Sequence, residues 1–109
     1  MTDKLIYVCS PYRGDTEANT RFARECCRRV FESGAVPVAP HLYFPQFCND
    51  DDAGERAQGM RYALELLRSC DEVFVFGDRI SEGMRSEIAE AELLAIPVLF
   101  IRTTGAKAL

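Results

Sequence analysis

The sequence predicts an α/β protein: a three-layer sandwich in which a mostly parallel sheet of four to five strands lies between helices. Three observations predict it. Leu5-Ile6-Tyr7-Val8-Cys9 is a continuous apolar run stopped by Ser10-Pro11, the pattern of a strand buried on both faces. Later strand-like runs are separated by segments whose apolar residues recur at three- and four-residue steps. The resulting alternation of strand and helix needs a crossover between successive strands, and crossovers make sheets parallel. The chain has 109 residues and 48% hydrophobic residues, which suits one domain over 1–109 with a single core.

The elements follow in order. Asp15 or Thr16 caps a helix running to about Ser33, with Phe22, Ala23, Cys26, Cys27, Val30 and Phe31 as its apolar stripe. Ser33-Gly34 ends it. Ala35–Ala39 is a short second strand, and its Pro37 argues for an edge or strand-start position. His41 to Glu55 reads as irregular: an aromatic-rich loop, then the acidic run Asn49-Asp50-Asp51-Asp52. A helix from about Gly54 to Ser69 places Met60, Ala63, Leu64 and Leu67 on one face. Glu72–Phe76 is the third strand, Gly77–Ser81 its exit loop, Gly83–Ala95 the last helix and Ile96–Ile101 the fourth strand. Arg102 to Leu109 is a polar tail expected to fray.

Composition narrows the function classes. Thirteen Lys+Arg against seventeen Asp+Glu give a formal charge of −4, which disfavours a nucleic-acid polymer or an anionic membrane as partner. No apolar run approaches the roughly 18–20 residues of a membrane span, and the N-terminus leads into a strand rather than a signal peptide. The five cysteines, Cys9, Cys26, Cys27, Cys48 and Cys70, are odd in number and contain no CxxC pair. With His41 as the lone histidine, they suit buried thiols in a reducing, cytoplasmic compartment better than a disulfide framework or a zinc site. Neither a metal nor a cofactor is expected.

Ligands of open parallel sheets collect at the carboxyl ends of the strands, so three loops matter. Ser10-Pro11-Tyr12-Arg13-Gly14-Asp15 offers a hydroxyl and a guanidinium beside a helix start, an anion cradle or equally an ordinary turn. His41–Phe47 holds three aromatics in five residues, Tyr43, Phe44 and Phe47, either a wall for a flat ring or a lid or subunit contact. His41 suits a structural hydrogen bond as well as a substrate contact. On the last helix the buried stripe is Met84, Ile88, Ala91 and Ala95, and Glu87 lies about 60° from its centre. A carboxylate at the flank of a core stripe, near a strand end, is either a boundary residue favoured by the helix dipole or a functional group.

Taken together the three loops resemble the nucleoside 2-deoxyribosyltransferase-like superfamily. The likeness is strongest to a small bacterial and phage branch of unknown activity that opens Ile-Tyr-x-Cys-Ser-Pro-Tyr. Ile6-Tyr7-Val8-Cys9-Ser10-Pro11-Tyr12-Arg13-Gly14 carries it, with Ala39-Pro40-His41, Pro45-Gln46-Phe47 and Gly77-Asp78-Arg79-Ile80-Ser81-Glu82-Gly83-Met84. The resemblance implies a Rossmann- or flavodoxin-like fold and cleavage of an N-glycosidic bond by a Glu that attacks C1′. Gly83 and Glu87 match the Gly-x-x-x-Glu spacing of that nucleophile. It further implies Tyr12 as a second catalytic side chain beside the base. Ser10, Pro11, Arg13, Gly14, His41, Ser81, Gly83 and Met84 would bind substrate. Branches acting on free nucleosides carry an Asp ahead of the nucleophile; Ser81 stands there, which with Arg13 points to a nucleoside 5′-monophosphate.

The family also has an Asp in the helix before the third strand that protonates the leaving base. This chain reads Arg61-Tyr62-Ala63-Leu64-Glu65 there, leaving Glu65, Tyr62 or one of Asp50–Asp52 as substitutes. The alternative to an enzyme is therefore a nucleotide-binding sensor or sequestering module with weak or no turnover. Either way the resemblance implies a homodimer or dimer of dimers, with the Pro40–Asn49 loop near the interface.

Overall fold

The computed structural model describes residues 3–102. Its element order is β1 (Leu5–Cys9), α1 (Thr16–Glu32), β2 (Val36–Val38), α2 (Pro40–Tyr43), a 3-10 turn (Phe44–Gln46), α3 (Ala53–Arg68), β3 (Glu72–Phe76), α4 (Glu82–Leu93) and β4 (Val98–Ile101). The four strands form one sheet in the order β2-β1-β3-β4, and every pairing is parallel. No fifth strand occurs among the described residues. The frayed tail expected over 102–109 falls, from residue 103 on, outside them.

Strand alternation sorts the core into two. Ile6, Val8 and Phe76 point to one face, where Cys26 and Val30 of α1 cover them. Tyr7, Cys9, Val73 and Val75 point to the other, packed against Leu67 of α3 and Met84 and Ala91 of α4. Helix, sheet, helix is thus the layer order. Pro37 sits in the edge strand β2, where a missing N–H costs no ladder bond on its open side.

Local signals set most boundaries. The Asp15 carboxylate accepts from the Ala18 N–H to start α1, and Asp52 accepts from Gly54 and Glu55 to start α3. Ser81 caps α4 by accepting from Met84 N–H, one residue earlier than the apolar pattern implies. That helix stops at Leu93 because Ala95 turns to φ 60°, and Ile96 N–H folds back onto the Ala91 carbonyl. Ile96 is thereby spent on the helix end, and β4 begins at Val98 rather than at Ile96.

Four expectations need correction. Ala95, assigned to the buried stripe of the last helix, lies past its end and is exposed. The stretch after His41 is not wholly irregular: Pro40 opens the one-turn α2, and a 3-10 turn follows. Both are too short to show a hydrophobic period. Met60, assigned to the buried face of α3, is half exposed, because this end of the helix flanks an open cleft rather than the sheet. Phe31, assigned to the stripe of α1, is 62% exposed and lies under the Arg28 guanidinium, 5.5 Å from its ring centre.

Candidate active site

Strand order reverses between β1 and β3: the chain leaves β1 for one side of the sheet and returns to the other. Such a switch point opens a crevice beyond the carboxyl ends of the strands. A cleft of about 600 Å³ lies there, within the range of small-molecule sites. Its wall comes from the loop after β1, from the α2 region, from Glu55 to Leu64 of α3 and from the start of α4. A second depression of about 560 Å³ lies on the outside of α1 among Arg21, Arg24, Glu25 and Arg28. Arg21 and Arg28 there are paired along their own helix to Glu17 and Glu32, so the depression is a solvated helix face.

At the cleft wall the Tyr7 O–H donates to Glu87 Oε2 at 2.6 Å. Tyr7 is fully buried in the central strand, and Glu87 lies in the second turn of α4. Burial pushes the Glu87 carboxyl above its ordinary range, and hydrogen bonds from Tyr7 and then Cys9 pull the other way. The Tyr7 phenol is itself pushed far up by burial and by the adjacent carboxylate, so it remains a donor. Cys9 is likewise a buried, raised thiol, with burial the main cause.

Ser10 closes β1 and shares a 3.0 Å hydrogen bond between its Oγ and His41 Nε2. Burial lowers the His41 pKa to about 4, so the ring is neutral at pH 7. The Tyr12 ring lies 6.0 Å from it, tilted at 55°. Asn19 of α1 holds this loop by donating to the Tyr12 and Arg13 carbonyls at 3.1 and 3.2 Å. Arg13, exposed, reaches Asp50 Oδ2 at 3.8 Å. The start of α4 completes the wall with Ser81, Gly83 and Met84.

Of the residues singled out in the sequence, Ser10, Tyr12, Arg13, His41, Ser81, Gly83, Met84 and Glu87 line this one cleft. Pro11 and Gly14 do not. Gly14 lies at φ 103° in the exposed turn ahead of α1, a conformation that suits glycine. Pro11 packs toward Gly77, where an added Cβ would stand 3.5 Å from its Cδ. Tyr7 was missed as a site residue, since an apolar strand run marks it only as buried. Its signal was the phenol itself, which needs a partner when buried.

The candidates for a leaving-group acid also separate. Glu65 pairs with Arg68 at 2.6 Å, and the Tyr62 hydroxyl accepts from Gln58; neither lines the cleft. Asp52 is spent on the α3 cap, whereas Asp50 stands on the cleft wall.

His41 carries an acid-stability prediction. Its pKa is lowered in the fold, so the stabilisation is complete above the unfolded value of about 6.5 and drains away as pH falls toward 4. Because the ring is only half-buried, about 1–3 kcal/mol should be lost between pH 7 and pH 4. His41→Gln should flatten this part of the stability curve in urea titrations across that range.

A domain of unknown function, DUF7768, matches residues 4–101. No curated protein matches the sequence. Among solved structures, a 2-deoxyribosyltransferase from the psychrotolerant bacterium Bacillus psychrosaccharolyticus superposes with a TM-score of 0.74 at 19% identity, over 94% of this chain and 74% of that one. A 2-deoxyribosyltransferase from Leishmania mexicana gives 0.66 at 17%, over 92% of this chain and 65% of that one. A conserved protein from Enterococcus faecalis V583 gives 0.69 at 20%, over 95% and 66%. This chain therefore spans just under two-thirds of the last two and about three-quarters of the first. At such identities the common property is the fold. The chain belongs to the DUF7768 family, and it has the fold of the 2-deoxyribosyltransferases.

Proposed function

We propose that this domain breaks the N-glycosidic bond of (deoxy)nucleoside 5′-monophosphates or related nucleotides, as a hydrolase or as a 2-deoxyribosyl transferase. The observation that carries the reading is the Tyr7–Glu87 pair, a half-buried carboxylate fixed at 2.6 Å by a buried phenol on the wall of the cleft. Partial desolvation keeps a carboxylate reactive, and the short hydrogen bond from Tyr7 orients it while still favouring the ionised form. A Glu87 oxygen bonds to C1′ as the C1′–N bond breaks, and the electron pair leaves with the base. Water, or a second base, then attacks C1′ and frees the carboxylate. The oxocarbenium-like charge at C1′ is what a nearby anion stabilises.

The other residues divide the substrate. Tyr12 and the neutral His41 flank the base, and the Ser10 hydroxyl fixes the His41 ring. Arg13, Ser81 and the N–H groups near Gly83 receive the phosphate at the start of α4, with Met84 packed beneath. Charge-assisted hydrogen bonds are worth about 1.5–3 kcal/mol each, so a monophosphate should bind at least about tenfold tighter than its nucleoside. Calorimetric titration of both ligands checks this, and equal affinities would remove the phosphate from the reading. The reaction itself is tested on a panel of nucleosides and 5′-monophosphates, scored by chromatography for free base. No base released from any of them would sink the enzymatic reading.

One observation favours a binding module instead. No Asp stands in the stretch Arg61–Glu65 that matches the family's acid, Glu65 and Tyr62 lie off the cleft, and Asp50, the substitute that lines it, is paired with Arg13. Losing general-acid help of about 10²- to 10⁴-fold would leave a slow enzyme or a sensor. Tight nucleotide binding without free base after long incubation distinguishes the two.

The same reading includes assembly. Tyr43 and Phe47 meet Phe44 and each other in tilted and edge-to-face contacts, yet both are 62% exposed. Covering each recovers about 1.5–3 kcal/mol, so we expect a homodimer or dimer of dimers through this loop. Light scattering at micromolar concentration should give at least twice the 12.3 kDa chain mass, and a clean monomer would end the idea.

A further inference from the structure

The acidic run between the 3-10 turn and α3 is held in a defined shape. Asn49 N–H donates to Glu55 at 2.7 Å, Asp51 N–H to the Asn49 side chain at 3.0 Å, and Asp52 caps α3. Arg56 donates to the Asp50 carbonyl at 3.2 Å. Only the last of these contacts touches Asp50, at its carbonyl, and the Asp50 carboxylate meets Arg13 at 3.8 Å on the cleft wall. Asp51 is exposed and stands off the cleft wall. The ion pair thus joins the loop after β1 to the loop before α3 on the wall of the cleft. It is loose: its side chains are 65% and 43% exposed, and such pairs contribute little to stability. The Tyr12 phenol also feels both charges, Asp50 raising its pKa and Arg13 lowering it, after the larger effect of burial.

We infer that Asp50 is a specificity-determining residue, a built-in counter-anion that Arg13 must give up when an anionic ligand enters the cleft. This rests on the assignment of Arg13 to the anionic end of the ligand. A phosphate dianion arriving at Arg13 meets the Asp50 carboxylate beside it, and that repulsion subtracts from its affinity. An uncharged nucleoside exchanges no such partner. Asp50 therefore sets how strongly the site prefers charged ligands, and its neighbour Asp51 does not.

The test compares wild type, Asp50→Asn, Asp51→Asn and the Asp50→Asn/Arg13→Gln double variant. Asparagine keeps the Asp50 backbone contacts and shape, so the loop should hold. Inorganic phosphate, followed by NMR chemical shifts, is the first probe; a nucleoside and its 5′-monophosphate are the second. Asp50→Asn should tighten phosphate about three- to tenfold at low ionic strength, with the gain shrinking at 0.5 M salt. Asp51→Asn should change it less than twofold, and Arg13→Gln should erase the gain. The monophosphate should follow phosphate while the nucleoside stays unchanged. Unaltered phosphate affinity in Asp50→Asn, or an equal gain in Asp51→Asn, overturns the inference whatever the nucleotides do. A phosphate gain without any nucleotide binding supports it while removing the nucleotide reading.

Discussion

Replacing Glu87 with Ala should lower base release by at least about three orders of magnitude, the scale on which enzymes lose activity when a nucleophile is deleted. The fold should survive, because Glu87 flanks the core stripe of α4 and its removal opens toward the cleft rather than into Met84 or Ala91. Glu87→Gln separates the chemistry from the packing. It keeps an acceptor for the Tyr7 O–H and removes the charge that burial disfavours. The carboxyl pKa is raised in the fold, so the ionised group is a stability cost above its titration, and Gln should melt at or above the wild-type temperature at pH 7. In wild type the same shift should place the acid limb of base release above the ordinary value of 4.5. Activity should fall as pH drops through that limb. Base release by Glu87→Ala at the wild-type rate would refute the assignment, and a lower melting temperature for Glu87→Gln would refute the account of its burial.

The second large effect belongs to Tyr7→Phe. The phenol is one of the hydrogen-bond donors to the carboxylate, and a hydrogen bond to a charged group is worth about 1.5–3 kcal/mol. Removing it should lower kcat about 10- to 100-fold with a smaller change in KM. Because that bond pulls the Glu87 pKa down, its loss should also move the acid limb to higher pH. A purely structural Tyr7 would lower stability and leave the limb where it was. Measuring kcat against pH for both proteins separates these outcomes.

Several parts of this site were legible residue by residue. The runs at Leu5–Cys9 and Glu72–Phe76 fall on strands with unchanged bounds, because a sheet covered on both faces demands an unbroken apolar stretch. The capping residue Asp15 marks the start of α1, because its carboxylate satisfies an N–H that the helix leaves open. The flank position of Glu87 followed from the helical period alone. A parallel sheet then requires the loops after β1, β2 and β3 to share one end, which is why so many singled-out side chains line one cleft.

The sequence by itself determined the layers, the bounds of β1 and β3 and the end of the sheet at which ligands would gather, since each follows from patterns repeating within a few residues. Only the tertiary structure decided the pairs. Tyr7 and Glu87 are 80 residues apart, and they meet because β1 lies beside β3 in a register that turns Tyr7 toward α4. The Ser10–His41 and Arg13–Asp50 contacts depend in the same way on where α2 and the acidic loop fold over the strand ends. The one-turn α2 and the 3-10 turn stayed hidden because an element shorter than its own hydrophobic repeat leaves no period to read. A period shows that a side chain is buried. Which partner it meets there is fixed by strand order and register, which local spacing does not encode.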